Sequence, residues 1–294
     1  MQEGVRPLVG IIGGSGLYDI EGLTDKRWER VTSPFGAPSD ELLFGRLEGQ
    51  PLVFLPRHGR GHRLSPSDVN YRANIDVLKR VGVTEIVSVS AVGSLKAELP
   101  PGTFVLVDQF IDRTFAREKS FFGIGLVAHV SMAHPVCNRL LGQLGSVVGE
   151  LAIDHKVGGT YLAMEGPQFS SLAESNLYRS WGCDVIGMTN MPEAKLAREA
   201  ELCYASIAMV TDYDCWHEDH DHVTVQQVVK VLQENAAKAR EVIKALAPRL
   251  AARDAACEAG CHHSLDSAII TPPDARDPEL VARLDAVAGR VLRT

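Results

Sequence analysis

With 294 residues, 45% of them hydrophobic, the chain has enough apolar material for one large domain or for a domain with an extension. Its formal net charge of −7 excludes the broad basic surface that holds nucleic acid or anionic membranes, so any anion site must come from a local cluster of cations. No apolar run nears the roughly 20 residues that span a bilayer, and the opening MQEGVRPLV lacks a signal-peptide pattern, which predicts a cytoplasmic protein.

The first strand is predicted at Leu8–Ile12, and it breaks into Gly13-Gly14-Ser15-Gly16. Glycines there allow positive φ and a close approach to a ligand. Asp19 stands where a dinucleotide fingerprint needs its third glycine, and no lysine follows as a P-loop requires. A phosphate turn of another kind and a purely structural turn both remain open.

Strands are next predicted at Leu42–Leu47 and Leu52–Leu55, the second leading into PRHGRGHRLSP. Arg57 offers a donor fork suited to phosphate oxygens and His58 a further donor; a solvated basic loop explains the cluster equally well. Ser65-Pro66-Ser67-Asp68 reads as a helix start, with the helix running to about Val81 and stopping near Gly82. A strand at Glu85–Ser90 runs into Ser90-Ala91-Val92-Gly93-Ser94, whose small residues bare amides and hydroxyls to an anion.

Further along come a strand at Thr103–Val107, a helix at His134–Leu151 and a strand at Thr160–Met164. Glu165-Gly166-Pro167-Gln168-Phe169-Ser170 follows, where Phe169 either stacks on a flat ring or fills a core. A helix at Ser171–Trp181, a strand at Asp184–Met188 leading to Thr189, and a helix at Pro192–Leu202 precede the strand Ala205–Thr211. That strand ends in Asp212-Tyr213-Asp214. Two carboxylates facing one pocket would raise one pKa, while as a plain strand end they would serve as turn formers.

Thr224-Val225-Gln226-Gln227 is a capping box, after which Val225, Val228, Val229, Leu232, Ala236, Ala239, Ile243 and Leu246 mark one helical face. Thr271–Asp277 reads as a break, and Pro278–Thr294 as one amphipathic helix that packs on the body or on a neighbour. Strands alternating with helices predict an α/β fold around a largely parallel sheet, with ligands at the carboxyl ends of its strands.

Cys137, Cys183, Cys203 and Cys215 sit singly in or beside apolar segments and read as small buried residues. Cys257 and Cys261 form C-E-A-G-C before His262 and His263, but no second pair stands at zinc-finger spacing, so no metal is expected there. His217-Glu218-Asp219-His220-Asp221-His222 is rich in metal-ligand types and reads instead as a solvated gate, with histidines that titrate near neutrality.

Together GIIGGSGL, PRHGRGH, NYRANI, AVGSL, DQFIDRT, EGPQFS, MTNMPE and VTDYDCW resemble, in order and over Val9 to about Pro272, the trimeric branch of the purine nucleoside phosphorylase superfamily, and within it the members that cleave methylthioadenosine. The resemblance implies a phosphorylase domain over 1–272 with a helical extension over 273–294, in a single-domain α/β fold with a mostly parallel, mixed central sheet flanked by helices. It implies phosphorolysis of 5'-methylthioadenosine to adenine and 5-methylthioribose 1-phosphate, with methylthioinosine or general purine nucleoside phosphorolysis as the alternative. Inorganic phosphate is then a co-substrate, without metal or organic cofactor.

Carried over residue by residue, the resemblance gives phosphate to Ser15, Arg57, His58, Ser90, Ala91 and Thr189, with serine at 15 and 90 where relatives often have threonine. Phe169 would pack on the base, Met188 would lie under the ribose, and Ser170, Asp212 and Asp214 would read a 6-aminopurine, with Asp212 protonating N7. His62, Val223, Val225 and Val228 would line the 5' pocket, joined by His129 from a neighbouring subunit of a homotrimer, or of a hexamer.

Overall fold

A computed structural model describes residues 7–14, 16–217, 225–251 and 257–293. Ser15 and Val223, with most of the His217–His222 segment and the capping Thr224, lie outside the described residues.

Eleven strands form one mixed sheet: β1 (Leu8–Gly13), β2 (Thr24–Glu29), β3 (Leu42–Leu47), β4 (Gln50–Pro56), β5 (Val83–Ser94), β6 (Phe104–Val107), β7 (Gln109–Arg113), β8 (His155–Val157), β9 (Thr160–Met164), β10 (Val185–Gly187) and β11 (Cys203–Asp212). Helices α1 (Tyr71–Arg80), α2 (Asn138–Glu150), α3 (Leu172–Ser180), α4 (Asn190–Glu199), α5 (Val225–Ala251), α6 (Pro278–Arg283) and α7 (Gly289–Leu292) flank it. The order is β2-β3-β4-β1-β5-β10-β9-β7, with β11 pairing β5 and β6, and β6 pairing β8. The expected mostly parallel α/β sheet is what forms.

The continuous apolar runs sort by a period of two. On β11, Ala205, Ile207 and Met209 join one core with Leu140 and Leu144 of α2 and Val242 and Leu246 of α5; Tyr204, Ala208 and Val210 join the other with Ile75 and Leu78 of α1 and Leu196 of α4. Strand β5 is the hub. It runs parallel to β11 from Glu85 to Gly93, while on its other pairing β1 accompanies it from Val83 to Ser88 and antiparallel β10 only at Gly93 and Ser94. That change of partner frees the stretch around Ser90, a switch point of the kind where open α/β sheets take ligands.

Several boundaries differ from expectation for identifiable reasons. Ser65 does not cap α1: its Oγ donates to Asp68 Oδ2 at 2.6 Å and closes a turn, and Asn70 caps the helix by accepting from Ala73 N–H at 3.1 Å. Helix α2 starts after the predicted His134 because Pro135 disfavours helical backbone before it, and Cys137 N–H instead donates to Tyr204 O at 2.8 Å. Strands β2, β7 and β8 carry charged and polar residues and are held by pairing rather than by apolar burial, so no hydrophobic pattern announces them. The last stretch is not one helix. It breaks between α6 and α7, and the break buries Leu284, Val287 and Ala288 in the α1–α4 core.

Candidate functional site

The glycine turn ends β1. Gly13, Gly14 and Gly16 are not among the positive-φ residues, so positive φ is not what requires them. Close approach is: a Cβ on Gly13 would sit 2.1 Å from Leu17 Cδ1, and Gly13 O accepts from Arg57 N–H at 3.0 Å. Arg240 of α5 donates to Gly16 O at 2.7 Å, tying the turn to that helix.

Arg57, at the end of β4, is 2% exposed. Its Nε donates to Glu193 Oε2 at 2.9 Å, Nη1 to Val89 O at 2.9 Å, and Nη2 to Ser88 Oγ at 2.6 Å and Glu193 Oε1 at 3.2 Å. Ser88 O–H and Tyr204 O–H both donate to Glu193 Oε1, at 2.6 and 2.9 Å. Burial opposes the guanidinium charge, yet Glu193 outweighs burial and holds the Arg57 pKa above its ordinary value. Of the five guanidinium donors, this leaves a single Nη1 N–H for a ligand. The expected fork toward phosphate is thus largely closed on Glu193.

His58 is pushed down to about 4, by burial first and then by the Arg57 charge, so it is neutral at pH 7. Its Nδ1 lies 2.9 Å from Leu64 O, which fixes the proton on Nδ1 and leaves Nε2 an acceptor. Neutral His58 is therefore not the ring donor that the sequence suggests. The exposed His62 ring, at a positive φ of 53°, stacks on it at 4.4 Å.

Two hydroxyls complete this corner. Ser90 Oγ on β5 and Thr189 Oγ1 after β10 are buried, and apart from the Tyr161 hydroxyl beneath them neither has a hydrogen-bond partner among the described residues. The antiparallel register that sets Ile186 beside Gly93 carries the chain back along β5 toward Ser90 as it reaches Thr189. Beneath them is buried Tyr161, whose Oη accepts from Thr189 N–H at 3.5 Å and would meet a Cβ on Gly187 at 2.0 Å. Ala91, beside Ser90, is exposed.

At the far end of β11, a register shift opposite Gly93 brings the two aspartates inward. A Cβ on Gly93 would lie 3.1 Å from Asp212 Oδ1 and 3.3 Å from Asp214 Cβ. Asp212 accepts from Asp214 N–H at 2.9 Å and from Thr211 O–H at 2.7 Å. Asp214, at φ 50°, has a buried Oδ2 without a partner among the described residues. Burial, reinforced by the Asp212 charge, raises its pKa. Asp214 is thus a carboxyl that its surroundings bias toward the protonated form, two positions along from the Asp212 that the sequence suggests as proton donor.

Buried Ser170 and half-buried Met188 flank this end. Met188 Sδ would be 2.5 Å from a Cβ on Gly166, and Met188 O accepts from Arg117 Nη1 at 2.6 Å. Phe169 is 84% exposed, so none of the described residues covers the ring. His129 lies exposed on a segment bridged to 268–270. Val225 and Val228 fall on the first turn of α5.

Sequence reading missed Glu193, Tyr161 and Arg117. Glu193 had a signal: it is an acid on a helix whose neighbours Pro192, Ala194, Leu196 and Ala197 are all apolar, and a buried acid requires a buried cation. Arg117 had none. It gathers the carbonyls of Met188, Met191 and Glu165 across three connections.

Residues 8–248 match the family model of the phosphorylase superfamily. The chain is 67% identical over 99% of its length to the whole S-methyl-5'-thioadenosine phosphorylase of Rhodospirillum rubrum, and 60% identical over 98% to that of Cereibacter sphaeroides, again covering the relative entirely. A methylthioadenosine phosphorylase from an Antarctic soil metagenomic library superimposes with a TM-score of 0.90 at 47% identity, covering 96% of this chain and 99% of that one. The methylthioadenosine phosphorylase of Schistosoma mansoni in complex with adenine gives 0.82 at 37% identity, covering 89% of this chain and 98% of that one.

Removing the Glu193 carboxylate leaves Arg57 buried and unpaired. Glu193→Ala and Arg57→Ala should each lower stability by about 3–5 kcal/mol in urea unfolding, with the double variant costing clearly less than the sum. Additive losses would show that the two residues do not act as a pair. For Asp214 the folded pKa is raised, so the stability it contributes is present below the ordinary 3.8 and is lost as pH rises through the folded value. Asp214→Asn should therefore gain thermal stability relative to the parent at about pH 7–8 and lose that gain near about pH 3–4. A pH-independent difference in Tm would contradict this.

Proposed function

Given that the chain belongs to the phosphorylase superfamily, we propose that it is a pentosyltransferase that cleaves 5'-methylthioadenosine with inorganic phosphate, yielding adenine and 5-methylthioribose 1-phosphate for purine and methionine salvage. The observation that carries the reading is the pair of buried hydroxyls of Ser90 and Thr189 beside the Arg57 cation, with the Asp212–Asp214 pair near the end of the same β5. Buried donors of this kind suit an anion.

Phosphate takes hydrogen bonds from Ser90, Thr189, Ser15 and the Ala91 main chain, and one from the remaining Arg57 Nη1 N–H. His58 Nε2 accepts from a protonated phosphate oxygen, or becomes a donor once the bound dianion raises its pKa. A phosphate oxygen forms the bond to C1' as the bond from C1' to N9 breaks. The sugar carries oxocarbenium charge in the transition state, which the adjacent dianion stabilises and is positioned to attack. One carboxyl of the Asp212–Asp214 pair supplies the proton to N7, so the base leaves neutral, and the other accepts from the 6-amino group. A 6-oxo purine would set a carbonyl against that carboxylate. No metal or organic cofactor enters these steps.

Phe169 gains its cover from the base, Ser170 contacts its edge, and Met188 underlies the ribose. His62, Val223, Val225 and Val228 line the 5' pocket with His129 of a neighbouring copy. The exposed Ile124, Val127 and Ile270 around His129 support a homotrimer whose subunits share sites, or a hexamer built from it. Six free cysteines suit the reducing cytoplasm, and among the described residues no helix is long and apolar enough to cross a membrane. Residues 1–272 form the phosphorylase domain and 273–294 its helical extension.

Base release from methylthioadenosine, adenosine and methylthioinosine, each with and without phosphate, tests the reading. Phosphate-dependent release should be fastest from methylthioadenosine, and Ser90→Ala and Thr189→Ala should each raise the KM for phosphate about 10- to 100-fold, as loss of about 1.5–3 kcal/mol per charged hydrogen bond implies. Release without phosphate would make the protein a nucleosidase. Turnover of methylthioinosine alone would overturn the base assignment.

A further inference from the structure

Four cysteines that the sequence scatters over more than a hundred residues meet in one buried cluster. The Sγ atoms of Cys137, Cys203, Cys257 and Cys261 all lie within 4.8 Å of one another, and each residue is at most 3% exposed. Cys137 Sγ is 3.5 Å from Cys257 Sγ, and Cys257 Sγ is 3.9 Å from Cys261 Sγ. Four thiolates around a tetrahedral zinc ion, at about 2.3 Å each, stand about 3.8 Å apart. A disulfide brings its sulfurs to about 2.05 Å and joins only two of them. The spacing of these four sulfurs is that of a coordination shell.

The fold supplies the second pair that the sequence lacked. Cys203 opens β11, and Cys137 caps α2, held there by its N–H bond to Tyr204 O at 2.8 Å. Cys257 and Cys261 lie four residues apart, turned toward each other through Gly260, which adopts a left-handed φ of 67° and donates its N–H to Cys257 O at 2.9 Å. All four belong to the core that α2 and α5 form on one face of the sheet. Arg139 lies against Cys203 and Cys257.

We propose that Cys137, Cys203, Cys257 and Cys261 bind one zinc ion as a buried tetrathiolate that ties the segment after α5 to α2 and β11. Binding releases four thiol protons to solvent and leaves a net dianion beside the Arg139–Glu85 ion pair, whose guanidinium faces the sulfurs. An all-thiolate tetrahedral set favours zinc over harder ions, and a closed shell leaves no position for substrate, so the ion is structural. The ten residues of β11 separate it from Asp212 by about 30 Å, at about 3.3 Å per residue. Its loss should therefore change stability more than turnover.

The test is elemental analysis of the full chain purified under reducing conditions without chelator. The expected result is about one zinc per chain, set free when a mercurial blocks the thiols. Cobalt in place of zinc should give intense sulfur-to-metal charge transfer and tetrahedral visible bands. The paired substitution Cys257→Ser and Cys261→Ser should abolish zinc binding and lower Tm while leaving the KM for methylthioadenosine within about twofold. If that variant does not fold, the zinc content and cobalt spectrum of the parent decide. A metal-free parent with all six thiols titratable overturns the proposal, as does one with only two titratable thiols, the signature of two disulfides. Zinc that survives the paired substitution would lie elsewhere, and iron on the same sulfurs would overturn the choice of ion.

Discussion

Arg57 and Glu193 form the constraint around which the rest of the site is arranged. A guanidinium and a carboxylate, each 2% exposed, are stable only while paired and hydrogen-bonded. The pair therefore dictates geometry: the end of β4 must meet α4, Ser88 must turn its hydroxyl inward, and Tyr204 must reach across from β11. Through Val89 O the same guanidinium grips β5 one residue before Ser90. Positive charge is thus fixed beneath the corner, while nearly all of its donors serve the protein. An enzyme that must stabilise developing positive charge on a sugar gains from an anion held rigidly, and rigidity is what this network provides.

The other end of the site follows from a small residue and a shifted register. Gly93 lets β11 slip one position relative to β5, and without a side chain there Asp212 and Asp214 come within van der Waals distance of the strand. Asp212 then accepts from the Thr211 hydroxyl and the Asp214 amide, while Asp214 carries a buried Oδ2. Burial, with the Asp212 charge beside it, raises the Asp214 pKa and so favours a proton on the pair. The two ends share β5, so the distance between anion and base is set by a single rigid strand.

Much of this was legible in the sequence. The apolar runs of β3 and β9 have the residues expected of them, and the helix expected from Ser171 starts there, capped by Ser171 Oγ accepting from Glu174 N–H. Arg57 and Asp212 come to one side because β4 and β11 both run parallel to β5, whereas Thr189 reaches Ser90 because β10 runs antiparallel to it. What the sequence hid was partnership. Nothing local says that Arg57 faces an acid 136 residues away, that Leu64 O decides the His58 tautomer, or that burial raises the Asp214 pKa. Edge strands such as β2 escape notice because hydrogen bonds to a neighbour, and not hydrophobicity, hold them. The four cysteines show the same limit, since spacing along the chain cannot reveal ligands that folding assembles from separate elements.

The most direct test is a crystal structure of the protein with phosphate, with and without adenine. The account predicts a tetrahedral anion accepting from Ser90 Oγ and Thr189 Oγ1 while Arg57 remains on Glu193, contributing no more than its one Nη1 N–H. If Arg57 instead leaves Glu193 to clamp the anion with its full fork, or if the anion binds away from the two hydroxyls, the central claim fails.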